Sequence, residues 1–226
     1  PQNIHSSHLN TVHTPRSTTC LAIKQVSINS KNQNELKFIK DFSKILSKDK
    51  SVLILSFERN KDCNIEDLFD MGGMMTYDIC DYFLDLVGLE KIIRKTCDNI
   101  DIAIAPLINS KYKIKKEDIS NLLEKINYYD FLIVNGLDKD LIDDKKIIQI
   151  TDESEINEDF DSDYFFIESN DKYFDIREYR DEILAKSSKF LGLKSKDTSY
   201  ENIISNLLDD KNENIEKIGF FEKLKK

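Results

Sequence analysis

Residues 51–58 read Ser-Val-Leu-Ile-Leu-Ser-Phe-Glu, an almost unbroken apolar run set between the charged stretches 48–50 and 59–61. A strand with one wet face alternates apolar and polar residues. A run that does not alternate fits a strand covered on both faces, as in a parallel sheet held between two helical layers. Further apolar runs at 21–26, 100–105 and 131–134 are separated by helical spacings such as Leu36, Ile39, Phe42 and Ile45. Strand and helix in alternation predict βαβ units and an α/β fold with a mostly parallel sheet flanked by helices. Ligands of such sheets gather at the carboxyl ends of the strands. The side chains at 27–35, 56–58 and 135 therefore carry the question of function.

The first strand is expected to end near Ser27, and Asn32 followed by Glu35 suits an N-cap and its partner at the start of the next helix. After the central strand, a loop over 63–75 with Gly72 and Gly73 leads to a helix using Ile79, Tyr82, Phe83 and Leu86, stopped by Gly88. A short helix at 90–95 precedes the strand 100–105, and Ile119, Leu122, Leu123 and Ile126 mark another helix. Strands are expected at 131–134, 146–150 and 164–167, then a helix over 176–191 ending at Gly192. A last helix opens with the capping box Thr198-Ser-Tyr-Glu and carries Tyr200, Ile203, Ile204 and Leu207. The division expected is a tail at 1–20, one α/β domain at 21–208, and a polar linker with an amphipathic tail at 209–226.

With 42 acidic and 33 basic residues the chain carries a formal charge of -9, which disfavours nonspecific nucleic-acid binding, a process that needs lysine and arginine to displace phosphate counterions. Cys20, Cys63, Cys80 and Cys97 contain no CxxC pair and read as reduced thiols, with no metal site. All three histidines, His5, His8 and His13, lie in the polar N-terminal stretch. The domain thus has no histidine for general acid or base work. No run approaches the roughly 20 apolar residues of a membrane-spanning helix, and there is no signal-peptide pattern, so an intracellular protein is expected.

Several stretches, in order, carry a resemblance. They are the run 51–58, Asn64-Ile-Glu-Asp-Leu-Phe, Thr76-Tyr-Asp-Ile, Asp98-Asn-Ile-Asp-Ile-Ala-Ile-Ala-Pro106, Tyr129-Asp-Phe-Leu-Ile-Val-Asn135, Tyr200-Glu-Asn-Ile-Ile and Gly219-Phe-Phe-Glu-Lys-Leu-Lys-Lys226. Together they resemble the MinD branch of the MinD/ParA family of deviant P-loop ATPases, with about one βα unit missing after the fourth strand. The resemblance implies a P-loop NTPase-like fold, ATP and magnesium as ligands where the family's activity is retained, and a role in positioning the division site.

The departures fall on the chemistry. The family's glycine-rich phosphate loop lines up with residues 28–35, Ile-Asn-Ser-Lys-Asn-Gln-Asn-Glu, which contain no glycine. Its two lysines fall on Asn29 and Asn34, and its magnesium-binding hydroxyl on Glu35. The aspartates of the second strand become Ser56 and Glu58, and that of a later strand becomes Asn135. A phosphate cradle needs glycine backbone and lysine charge, so these positions are vestigial, no catalytic residue is expected and no cofactor is expected. The expectation is a peripheral membrane protein of division-site positioning that acts by binding, on the inner face of the cell membrane. Its partner would be a protein of the positioning system or an intact family member. An active ATPase, or a pilus-assembly or polar-localisation relative, stays open as the alternative. Membrane contact is expected from Ile218, Phe220, Phe221 and Leu224, which share a helical arc, with Lys223, Lys225 and Lys226 toward anionic lipid.

Overall fold

The computed structural model describes residues 25–30, 35–108, 110–143, 145–159 and 161–218. In chain order the first half contains β1 (Gln25–Ser30), α1 (Glu35–Leu46), β2 (Val52–Ser56), α2 (Ile65–Leu68), α3 (Ile79–Phe83), α4 (Leu89–Ile92), β3 (Arg94–Lys95), β4 (Asp101–Ala103) and α5 (Lys116–Lys125). The second half contains β5 (Phe131–Asn135), β6 (Lys146–Asp152), β7 (Tyr164–Ser169), α6 (Arg180–Ala185), β8 (Lys189–Ser195) and α7 (Glu201–Leu208). The strands form one sheet in the order β3-β4-β2-β5-β1-β6-β7-β8. Every pairing is parallel except β3 with β4.

β2 meets the expectation of burial on both faces. All five of its residues are buried. Val52 and Ile54 join Phe38, Phe42, Phe166 and Ile204 on the face covered by α1 and α7. Leu53 and Leu55 point the other way, among Ile79, Ile119, Leu122 and Val134 under α3 and α5. Fully burying each such side chain contributes roughly 1.5–3 kcal/mol. On the α1 face, Phe38 contacts Phe166 and Tyr200 at centroid distances of 4.9 and 5.3 Å, which ties α1, β7 and α7 into one aromatic cluster.

The first two crossovers after β5 are short. β5 and β6 are joined by residues 136–145, and β6 and β7 by 153–163, each holding a single 3-10 turn (Lys139–Leu141 and Glu153–Glu155) and, among the described residues, no α-helix. On that face the apolar core divides into two clusters, one under α3 and α5 and another of Ile156, Phe165, Ile167, Ile183, Phe190 and Ile215.

Four expectations need correction. β1 runs on to Ser30, through positions the family alignment assigned to the phosphate loop. Gly88 does not stop α3. That helix ends at Leu84, Asp85 takes the left-handed conformation (φ 56°), Leu86 is exposed, and Gly88 caps the start of α4. The long helix expected over 176–191 is a 3-10 turn (Ile176–Tyr179) and the short α6, and Phe190 and Leu191 belong to β8. Gly192 lies in a bulge of that strand at φ +138°, with Ile203 of α7 3.3 Å from where a Cβ would stand. The Thr198 capping box does not form. α7 begins at Glu201, while Thr198 Oγ1 accepts from the Ser195 amide at 2.9 Å.

The polar stretch 209–214 is bound rather than free. Tyr164 donates to Asp210 at 2.6 Å, the Phe190 amide donates to Asn212 Oδ1 at 2.8 Å, and the Glu213 amide donates to the Phe190 carbonyl at 2.7 Å. These bonds occupy the outer edge of β8, which would otherwise offer unpaired backbone to another chain. Ile215 then inserts into the core and Arg180 Nε donates to its carbonyl at 3.0 Å. Ile215→Ala is expected to cost roughly 2–5 kcal/mol in urea unfolding. A loss below about 0.5 kcal/mol, the level of an ordinary surface change, would return this stretch to a tether.

Candidate functional site

The registers of the central strands decide which side chains meet. Asn135 at the end of β5 lies opposite Ser56 on β2 and opposite Ile28 on β1. α1 begins five residues after β1 ends, so Glu35 enters the same edge. Ser56 Oγ donates to Asn135 Oδ1 at 2.6 Å, and Asn135 Nδ2 donates to Glu35 Oε1 at 2.8 Å. All three are at least nine-tenths buried. The amide thus uses its carbonyl toward the hydroxyl and its NH2 toward the carboxylate, a relay with every member partnered.

Glu58 stands exposed beside this relay. The backbone brings it close: the Phe57 amide donates to the Asn135 carbonyl at 2.8 Å, and Gly136 packs on Glu58 at φ +70°. A Cβ on Gly136 would lie 2.3 Å from the Glu58 Cβ and 2.7 Å from its amide nitrogen, so only glycine fits there. Burial, and next the charge of Glu58, push the Glu35 carboxyl up to about 7, against the opposing effect of the Asn135 bond.

Of the residues aligned with family chemistry, the fold brings together Glu35, Ser56, Glu58 and Asn135. Asn29 is in β1, its backbone in register with Gln149 of β6. Asn34, like Lys31 and Asn32, lies outside the described residues, as do His5, His8, His13 and Cys20. Arg59, the next basic residue along the chain, forms an ion pair with Glu66 and donates from Nε to the Ala105 carbonyl at 3.2 Å. Of the membrane-facing positions, Ile218 is half-buried beside Arg177, Arg180 and Lys217; Phe220, Phe221, Lys223, Leu224, Lys225 and Lys226 lie outside the described residues. Among the described residues no group of three or more His, Cys, Asp or Glu could hold a metal ion.

Sequence reasoning missed a second charged cluster. Lys111 donates to Asp78 at 2.7 Å and to Asp81 at 2.6 Å, while Asp78 caps α3 by accepting from the amides of Cys80 and Asp81. Its role is to hold the loop after β4 on α3. The thirty or so positions between its members left no local trace.

No protein-family description and no curated protein matches the chain in sequence. Solved structures do match in shape. A plasmid partition protein from Borrelia burgdorferi superposes with a TM-score of 0.64 at 17% identity, over 83% of this chain and 99% of that one. A putative plasmid partition protein of the same organism, bound to AMPPNP, gives 0.62 at 17% identity over 83% and 97%. The MinC:MinD cell division complex of Aquifex aeolicus gives 0.58 at 14% identity over 81% and 86%. This chain has the fold of those partition and MinD proteins.

Magnesium and a nucleoside triphosphate ask for cations and open donor groups at the strand edge. The described residues there do not fit. β1 extends through Ser30 and α1 begins at Glu35, so half of the eight aligned positions lie in the strand or the helix. Glu58 adds a carboxylate, Glu35 and the Asn135 amide are already engaged with each other, and Arg59 is paired elsewhere.

The relay has a pH signature. Between pH 4.5, the ordinary glutamate value, and about 7, the unfolded chain releases the Glu35 proton while the folded chain keeps it. Stability therefore falls as pH rises through that window, by on the order of 3 kcal/mol from this group. Glu35→Gln keeps an acceptor for Asn135 and removes the charge. The variant is expected to flatten this part of the urea-unfolding profile and to gain stability at pH 8; an unchanged slope would count against the buried carboxyl.

Proposed function

We propose that this chain is a MinD-like positioning protein that works by binding and does not hydrolyse ATP. The relay from Ser56 through Asn135 to Glu35 carries this reading. In a fold that elsewhere holds a nucleotide, a closed hydrogen-bond chain ending on a buried carboxyl occupies the strand edge. With asparagine at position 29, the charge that family members send to a partner subunit's phosphates is also missing. Magnesium-ATP is accordingly expected to give neither turnover nor a shift to dimer in sedimentation. Turnover abolished by a change at Glu35 or Asn135 would refute the binding-only role.

The place of action proposed is the inner face of the cell membrane. No helix among the described residues is long and apolar enough to cross a membrane, so the contact would be interfacial. It is supported by the apolar arc of Ile218, Phe220, Phe221 and Leu224 and the terminal lysines. A single short helix binds lipid weakly because ordering it offsets much of the burial gain. The neighbour from Aquifex aeolicus is a MinC:MinD complex, which favours a protein partner here too, either from the positioning system or an intact relative that would pair two tails. A partition role is the second reading, favoured by the match over 99% of the Borrelia burgdorferi plasmid partition protein.

Co-sedimentation with anionic liposomes separates these. Salt-sensitive binding, lost on removing residues 219–226 with the unfolding midpoint unchanged, is expected for the membrane role. Binding that persists without those residues, or none in the full chain, would rule it out.

A further inference from the structure

A concavity lined mostly by positive side chains lies away from the relay in this acidic chain. A cleft of about 520 Å3 opens between α1, the carboxyl ends of β7 and β8, and the turn into α7. Four lysines line it, Lys37 and Lys40 three positions apart on α1, and Lys194 and Lys196 at the end of β8. Asp41 and Glu168 oppose them, which leaves a local formal charge of +2 in a chain of -9. Glu168 accepts a hydrogen bond from the Tyr200 hydroxyl, so part of its acceptor capacity is spent. Among the described residues no carboxylate pairs with Lys37, Lys40 or Lys196.

The cleft's shape restricts what fits. Its one aromatic ring, Tyr200, is buried, and the Lys194 ammonium stands 5.2 Å from the ring centroid while donating to the Ser195 carbonyl at 2.6 Å. Among the described residues no bare ring is left for a nucleobase to stack on. An acidic peptide added as a strand would need the outer edge of β8, and Asn212 and Glu213 already occupy it at Phe190. The volume lies in the range of small-ligand pockets. Four ammonium groups around one cleft, from α1, β8 and the turn after it, suit several phosphate groups on one compact molecule.

The geometry points to a binding site for a multiply phosphorylated small molecule, held through its phosphates by Lys37, Lys40, Lys194 and Lys196. This site is separate from the vestigial strand edge and needs no magnesium. A nucleotide that binds this protein does so here, by its phosphates and with little selection of base.

Inorganic tripolyphosphate titrated into the full chain by calorimetry tests this. Saturable, salt-sensitive binding without magnesium is expected, with ATP no tighter than tripolyphosphate. Lys37→Gln with Lys40→Gln, and separately Lys194→Gln with Lys196→Gln, should each weaken it by about tenfold or more. Lys113→Gln with Lys115→Gln removes the same charge from exposed positions on the α5 side and should leave it unchanged. Thermal melting of each variant reports that the fold is kept. Absence of saturable binding, or equal weakening in the control pair, overturns the cleft and leaves the binding-only role untouched. Magnesium-dependent binding lost on changing Asn135, with the lysine pairs unaffected, overturns both.

Discussion

The middle of this sheet is apolar on both sides, and most of the architecture follows from that. Val52 and Ile54 need one helical layer, Leu53 and Leu55 need another, and neither pair can face water without losing its burial energy. α1 and α7 supply the first layer, α3 and α5 much of the second. A parallel sheet built this way lines up its strand ends, so residues far apart in the chain arrive at one edge. Ser56 and Asn135 are 79 positions apart and Glu35 and Asn135 are 100 apart, yet each pair shares a hydrogen bond.

That edge is closed by the protein's own side chains. A phosphate-binding edge leaves donors open and gathers cations; here the donors of Ser56 and Asn135 are used internally and the relay ends on an acid. The buried acid is tolerable because Asn135 donates to it and because burial and Glu58 together hold its proton to near neutral pH. Positive charge has gathered instead on the far side of α1, where the lysines of the helix face those at the end of β8. The two features are complementary, since one helix presents its first residue to the relay and its flank to the cleft.

The sheet's last edge shows a different economy. Two crossovers carry no α-helix among the described residues, the core on that face is divided, and residues 209–215 lie along β8 with Ile215 buried. Any role of the following residues at a membrane therefore starts from a root fixed to the domain.

The strands were legible in the sequence because apolar runs and helical spacing report burial directly. The α/β class, the places of β2, β4, β5, β6 and β7, and the inward faces of α1, α5 and α7 followed from that pattern alone. β8 was not legible: Phe190 and Leu191 continue a helical spacing from Ile183, and Gly192 looks like a helix stop when it is a strand bulge beneath Ile203. The linker misled for a similar reason, since Asn212 is a polar residue whose partner is backbone and Glu213 one whose carboxylate is held by Asn202 and Asn206 of α7. Side-chain identity told that residues 28–35 contain no glycine and that positions 29 and 34 are asparagine. The directed relay at one edge, and the lysine cleft across α1 from it, were decided only when parallel register placed distant strand ends side by side.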